Sequence, residues 1–218
     1  MIDVIITSMN RHDLLKRTLD SLVEINNYPI NQVLIFEDAY DGLSIGQRND
    51  LLNLVSCYEG SLFTLINLGG KVGQLAAIDE LYDRVETEFV LHLEDDWETL
   101  KDGFIAEAIE IMNNNPNILT VSGRGRELRD FNGHPNKEGI LDLDFFGWSG
   151  WSYAPSMHRL SDYRKIGSYS TYTKWNEKTP WEAEKRIGNF YKNLNQYSYV
   201  TETKYFQHIG NNRSTLKR

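Results

Sequence analysis

The chain reads as an α/β protein with a mostly parallel central sheet flanked by helices, and two observations carry that reading. Short runs rich in Val, Ile, Leu and Phe alternate with stretches whose apolar residues recur every three or four positions. Several of those runs end abruptly in polar or acidic residues. The sharpest case is Phe89-Val90-Leu91-His92-Leu93, which runs directly into Glu94-Asp95-Asp96. A strand that apolar belongs inside a sheet, whereas three adjacent acids cannot be buried unpaired. They are therefore expected at the sheet's carboxyl edge, where open α/β proteins form their ligand crevices.

Taken in order, Ile2 to Ser8 is a β-branched first strand closed by Met9-Asn10-Arg11. Leu14, Leu15, Thr18, Leu19, Leu22 and Val23 then keep helical spacing, with Lys16, Arg17 and Asp20 on the other face. Tyr28-Pro29-Ile30-Asn31 ends that helix, and Gln32 to Phe36 forms a second strand ending in Glu37-Asp38. Such a βαβ unit implies parallel strands and a right-handed crossover. Asn49 to Tyr58 predicts a helix, Leu62 to Asn67 a third strand, Gly69 to Gln74 a loop, and Leu75 to Arg84 the helix before the Phe89 strand. Beyond the triplet, a helix from Gly103 to Met112 stops at Asn113-Asn114-Asn115-Pro116, and Ile118 to Gly123 gives a fifth strand. Residues 124–139 are charged and aperiodic, as in a long surface loop. Leu141 to Tyr153 gathers Phe145, Phe146, Trp148, Trp151 and Tyr153 around Gly147 and Gly150, and tyrosines crowd the C-terminal portion.

Composition narrows the function classes. At 218 residues, 40% hydrophobic and 25% charged, the chain is globular and fits one compact domain. A net charge of −8 argues against nucleic acid or an anionic membrane as partner. Cys57 is the sole cysteine, which excludes an internal disulfide and suits a reducing compartment. The start Met1-Ile2-Asp3-Val4 lacks the basic region of a signal peptide, and no run approaches the roughly 20 residues of a membrane span. A soluble, cytoplasmic protein, or a soluble module of a longer one, is the expectation. For the triplet itself, carboxylate oxygens suit Mg²⁺ or Mn²⁺, which commonly bridge one or two acids to a substrate diphosphate. The alternative is a solvated acidic turn that opens a helix and complements its dipole.

The residues also carry a resemblance. Val4-Ile5-Ile6-Thr7-Ser8-Met9-Asn10-Arg11, the helix after it and Val33-Leu34-Ile35-Phe36-Glu37-Asp38 resemble the opening of glycosyltransferase family 2 proteins of the GT-A fold. The loop Gly69 to Gln74 and Glu94-Asp95-Asp96 occupy that family's next two landmarks, the second being its metal-binding acidic motif. The Glu-Asp-Asp form, followed by Trp97-Glu98 and a Gly103-Phe104 helix, is also similar to enzymes of the N-acetylglucosaminyltransferase I type. The sequence departs from family 2 at Met9, where an aromatic is common, and at Ala39-Tyr40, which replace the usual Gly-Ser. The resemblance implies a Rossmann-like, nucleotide-sugar-binding half over residues 1–98 and a smaller acceptor-binding, catalytic half over 99–218 of the same domain.

It also implies roles. Asp38 would accept a hydrogen bond from the nucleotide base, with Thr7, Ser8 and Arg11 lining the base and ribose pocket. Asp95 would meet the ribose, Asp96 would ligate Mn²⁺ or Mg²⁺ on the donor diphosphate, and Lys71 would add a point charge there. Glu94, Trp148, Gly150 and Trp151 would contact donor sugar or acceptor, since aromatic faces accommodate sugar C–H groups. Near the end, His208 would be a further metal ligand and Arg213 a diphosphate cation. Inverting transfer needs a carboxylate base, and Thr179-Pro180-Trp181-Glu182-Ala183-Glu184 supplies one where Pro180 opens a helix: Glu182 first, Glu184 next.

The implied function is metal-dependent transfer of a sugar from a nucleoside diphosphate sugar, UDP before GDP, to a glycan, glycoprotein or other hydroxyl acceptor. Two alternatives stand beside it. A sugar nucleotidyltransferase would need a glycine-rich triphosphate loop, which Met9-Asn10-Arg11-His12 does not provide. A noncatalytic carbohydrate-binding domain would keep the fold without turnover.

Overall fold

The computed structural model describes residues 1–58, 62–66, 70–126, 139, 151–153, 155–173 and 180–210. Its axis is β1 (Ile2–Ser8), buried at every position. Alternation along the strand divides its side chains between two apolar layers. Ile2, Val4 and Ile6 pack with Leu15, Leu19 and Leu22 of α1 (His12–Ile25), while Ile5 packs with Ile78 and Leu81 of α3 (Gln74–Tyr82). A strand covered on both faces favours apolar side chains, which explains the run Val4-Ile5-Ile6 at its centre, with the polar Asp3, Thr7 and Ser8 toward its ends.

Parallel neighbours extend the sheet. β2 (Ile30–Glu37) and β4 (Phe89–Glu94) flank β1, and β3 (Phe63–Ile66) lies outside β2. With β6 (Ile118–Ser122), β7 (Ser156–Arg159) and β8 (Tyr197–Val200), the strand order is β3-β2-β1-β4-β7-β6-β8. Only β7 among these runs against its neighbours, so the sheet is mostly parallel, as the sequence implied. The chain winds outward from β1 to β3 and then returns to the other side of β1 with β4. That reversal opens a crevice between the carboxyl ends of β1 and β4.

Several boundaries differ from the sequence reading. α2 (Ile45–Ser56) begins before Asn49 because Ser44 caps it, in a reciprocal capping box with Gln47. β2 takes in Ile30 and Asn31, which the sequence reading gave to the turn. The triplet does not open a helix. It leads into β5 (Trp97–Thr99), which pairs antiparallel with β9 (Phe206–His208), and α4 (Phe104–Asn114) starts only after Gly103 at φ 94°. α5 (Leu160–Ile166) and α6 (Pro180–Asn193) complete the layer on the α3 side. Trp148, Gly150, Arg213 and residues 127–138 of the aperiodic stretch lie outside the described residues.

Candidate functional site

The crevice is built from the ends of β1, β2 and β4. Thr7 lies in register with Glu94, and the Asp95 N–H donates to the Thr7 carbonyl at 3.0 Å, so the triplet leaves the sheet beside the Ser8–Arg11 turn. Arg11, at the N-cap of α1, sends its guanidinium back across that turn. Nε and Nη2 donate to Oδ2 and Oδ1 of Asp95, the former at 3.2 Å, and Nη1 donates to Asp96 Oδ2 at 2.6 Å. The Met9 N–H adds a bond to Asp95 Oδ2 at 3.1 Å. Burial pushes the Asp95 carboxyl up to about 6; Arg11 opposes that rise and the neighbouring Asp96 adds to it. Sequence reasoning gave Arg11 and Asp95 to the nucleoside. In the structure they hold each other, although 84 residues of sequence separate them.

Glu37 fixes the turn that delivers Arg11. It is 1% exposed and accepts from Ser8 Oγ (2.8 Å), Asn10 N (2.9 Å) and Ala39 N (3.0 Å), with His12 Nε2 3.4 Å away. Burial alone would raise its pKa, but these bonds hold it below the usual carboxylate range. Asn10 sits at φ 53°, a left-handed conformation that asparagine tolerates better than most residues. The next residue, Asp38, accepts from Val72 N (2.7 Å) and Gly73 N (3.1 Å), so it anchors the loop that enters α3. Lys71 is exposed on that loop. The sequence singles out Asp38 and passes over Glu37, because adjacent strand-end acids look alike until the turn they serve is folded.

On the other side, β9 brings the tail onto the triplet. Trp97 pairs with His208, and His208 Nε2 lies 3.1 Å from Asp96 Oδ2. Gly210 passes so close that a Cβ there would collide with the Asp96 carboxylate. Burial would raise the Asp96 pKa, but His208 and Arg11 together hold it below the usual range. Its Oδ1 is buried with no hydrogen-bond partner. A bare buried carboxylate oxygen is costly, and a cation is the natural complement. Among the described residues no group of three His, Cys, Asp or Glu would hold an ion unaided. One carboxylate and one imidazole do fit Mg²⁺ or Mn²⁺, which keep waters and take substrate phosphates as further ligands.

Glu94 is held by two neutral donors, Gln74 Nε2 at 2.8 Å and Trp97 Nε1 at 3.2 Å. Burial, followed by the charge of Asp96, raises it to about 7. Arg124, just past β6, stacks its guanidinium 4.9 Å above the Trp97 ring. Neither Gln74 nor Arg124 stands out in the sequence, since both act through contacts with residues remote along the chain.

Helical geometry separates the two candidate bases. Residues two apart on a helix point to different faces, so α6 can aim only one of Glu182 and Glu184 at the sheet edge. Glu182 is exposed. Glu184 accepts from the Tyr153 N–H at 3.2 Å, and burial raises it to about 7 against the opposing Tyr153 and Ser152 bonds and the Arg124 charge. Its charge adds, as the least of the contributions, to the rise at Glu94. Trp151 is wholly buried among Tyr153 and Tyr169, with ring centroids 4.7 and 5.0 Å away.

Fold and crevice together define a GT-A protein. The chain belongs to glycosyl transferase family 2, whose family model matches residues 3–199. Among solved structures it is similar to the mannosyltransferase PcManGT from Pyrobaculum calidifontis in complex with GDP-Man and Mn²⁺, at 15% identity and a TM-score of 0.72, covering 97% of this chain and 57% of that one. It is also similar to S. aureus TarS in complex with UDP-GlcNAc, at 17% identity and a TM-score of 0.67, covering 98% of this chain and 62% of that one. The chain thus spans under two thirds of the length of either structure. Among curated protein sequences none is significantly similar to it. No described helix is long and apolar enough to cross a membrane.

Proposed function

We propose that the chain transfers a sugar from a nucleoside diphosphate sugar to an acceptor hydroxyl, with a divalent ion on the donor diphosphate and inversion at the anomeric carbon. Asp96 carries the proposal: at the sheet's topological switch it keeps one buried oxygen bare beside His208. PcManGT and TarS, which share the fold, have structures with GDP-Man and Mn²⁺ and with UDP-GlcNAc. UDP is placed before GDP on the family resemblance.

Asp96 and His208 would hold Mn²⁺ or Mg²⁺, which when bound supplies Lewis-acid stabilisation of the departing diphosphate. Asp38, Thr7 and Ser8 would line the base and ribose pocket, and Lys71, exposed on the loop before α3, would add a point charge toward the diphosphate. Glu94, held by Gln74 and Trp97, would receive sugar hydroxyls. Glu184 is the preferred base over Glu182, because it is less exposed, is held by the Tyr153 amide and has a pKa raised to about 7. A carboxylate so poised can take a proton from the acceptor hydroxyl at neutral pH. On this reading residues 1–98 would form the nucleotide-sugar-binding half and 99–218 the acceptor-binding and catalytic half, with His208 reaching back to the donor's ion.

The nucleotidyltransferase reading loses support here. The Met9 and Asn10 amides already donate to Asp95 and Glu37, so the first turn offers no cradle for a triphosphate. Thermal shift with UDP, GDP and their sugar conjugates, with and without Mn²⁺, tests the proposal. A stabilisation that needs Mn²⁺ and disappears in Asp96→Asn is expected. Sugar binding indifferent to nucleotide and metal would replace it with the noncatalytic reading.

A further inference from the structure

We infer that Arg11 is a standing cation of this site, which occupies three of the four Asp95 and Asp96 carboxylate oxygens and thereby makes binding of a divalent ion depend on the donor diphosphate. The inference rests on the metal-assisted donor reading above. Both oxygens of Asp95 are taken, Oδ1 by Nη2 and Oδ2 by Nε at 3.2 Å and by Met9 N at 3.1 Å. Oδ2 of Asp96 is taken by Nη1 at 2.6 Å, with His208 Nε2 3.1 Å away. Only Oδ1 of Asp96 is left, buried and bare. A planar guanidinium suits this arrangement, with a two-pronged grip on one acid and its third nitrogen on the next; an ammonium cannot span both.

Arg11 is also hard to dislodge. Its carbonyl accepts the Leu14 and Leu15 amides of α1, each at 2.9 Å, and the turn before it is pinned by Glu37. Moving the side chain away would leave Asp95, 0% exposed, without its counter-charge. An arriving ion therefore meets a pair of acids whose charge is already partly offset, and finds one carboxylate oxygen plus an imidazole. Such a site is weak by itself. A diphosphate supplies the missing oxygens and negative charge, and linkage makes the cooperation reciprocal.

The test measures Mn²⁺ binding by electron paramagnetic resonance of the free ion, alone and with UDP or GDP. In the wild type the nucleotide is expected to tighten Mn²⁺ about tenfold or more. Arg11→Met lifts the positive charge from three oxygens, of which Asp95 Oδ2 keeps the Met9 amide and Asp96 Oδ2 keeps His208, so Mn²⁺ alone is expected to bind about tenfold tighter than in the wild type, with the nucleotide's effect reduced. Arg11→Lys should fall between the two. Because Arg11→Met leaves Asp95 buried and unpaired, a second comparison sets Arg11→Met/Asp95→Asn against Asp95→Asn, with circular dichroism as the check on folding. Those two differ only in the cation over Asp96, and the double variant is expected to bind Mn²⁺ alone more tightly. If the wild type shows nucleotide coupling but loss of Arg11 leaves Mn²⁺-alone affinity unchanged in both backgrounds, the inference is overturned. If the wild type binds neither nucleotide with Mn²⁺ present, the donor reading fails first and the inference falls with it.

Discussion

The two ends of the central strand treat buried carboxylates differently. At the amino end of β1, Asp3 is 0% exposed and accepts from Asn31 Nδ2, Gln32 Nε2 and the amides of Glu86 and Thr87, all neutral donors. At the carboxyl end, Asp95 and Asp96 are matched to one guanidinium, and one oxygen stays bare. The first arrangement closes a loop and asks for nothing further. The second is incomplete in itself, which is how a binding site differs from a structural pin. Asp79, closed by the Tyr163 hydroxyl and the amides of Tyr169 and Ser170, belongs with Asp3.

The contrast breaks most severely at Glu184, if that carboxylate does chemistry. Glu184→Gln is expected to lower kcat about 10²- to 10⁴-fold with donor KM little changed, whereas Glu182→Gln should stay near wild type. The wild-type rate should rise with pH through about 7, where Glu184 loses its proton. Steady-state transfer, once an acceptor is found, or slow donor hydrolysis, would read both. Equal losses in the two variants would return the role to the helix terminus as a whole.

Stability offers a sharper version. The folded pKa of Glu184 lies above its ordinary 4.5, so its contribution is present below about 4.5 and is lost as pH rises through about 7. Glu184→Gln should therefore gain on the wild type across that window, by up to about 3 kcal/mol in urea titrations. The core histidines run the other way. His92 and His158 are buried and held down to about 3, by burial and, for His92, by its neighbour as well. Stability from keeping them neutral is present above 6.5 and is lost as pH falls toward 3. His92→Leu should remove about 1.4 kcal/mol per pH unit of that slope relative to wild type. An unchanged slope would show that His92 is protonated in the fold.

Range along the chain decides how much of this was legible in the sequence. β1, α1, β2, α3 and β4 announce themselves because their periodicity is local and their burial two-sided. The triplet is legible for the same reason, as a strand that ends in acids. β5 and β9 have three residues each and no alternation to detect; they exist because they meet each other. The Ser44–Gln47 capping box was a visible signal for the start of α2. Arg11, Glu37, Gln74 and Arg124 could not be assigned their partners, since only the folded sheet edge brings those side chains together.

At the closed end of β1, the prediction concerns stability alone. Asp3→Asn turns an oxygen that accepts into an amide that must face other donors, at a cost of about 1 to 3 kcal/mol in denaturant midpoints. The Mn²⁺ and nucleotide response should stay that of the wild type, because the site lies at the far end of the strand. A lost nucleotide response with the fold intact would join the two ends in one functional unit and erase the distinction.

The smallest effect is expected beside the site itself. Glu98 lies just past the triplet on β5 and pairs with Arg17 of α1 at 2.7 Å, with the Arg17 side chain 52% exposed. Exposed pairs of this kind contribute about 0.2 to 1 kcal/mol and fade with salt, because water screens the charges and two long side chains lose freedom. Glu98→Ala should shift the urea midpoint slightly at low salt and less at high salt, with Mn²⁺ and nucleotide binding within about twofold of wild type. The variant removes a negative charge two residues from Asp96 while leaving every bond to Asp95 and Asp96 in place. Should it weaken Mn²⁺ binding as much as Asp96→Asn does, diffuse negative potential at this edge, rather than the bare oxygen of Asp96, would be what draws the ion.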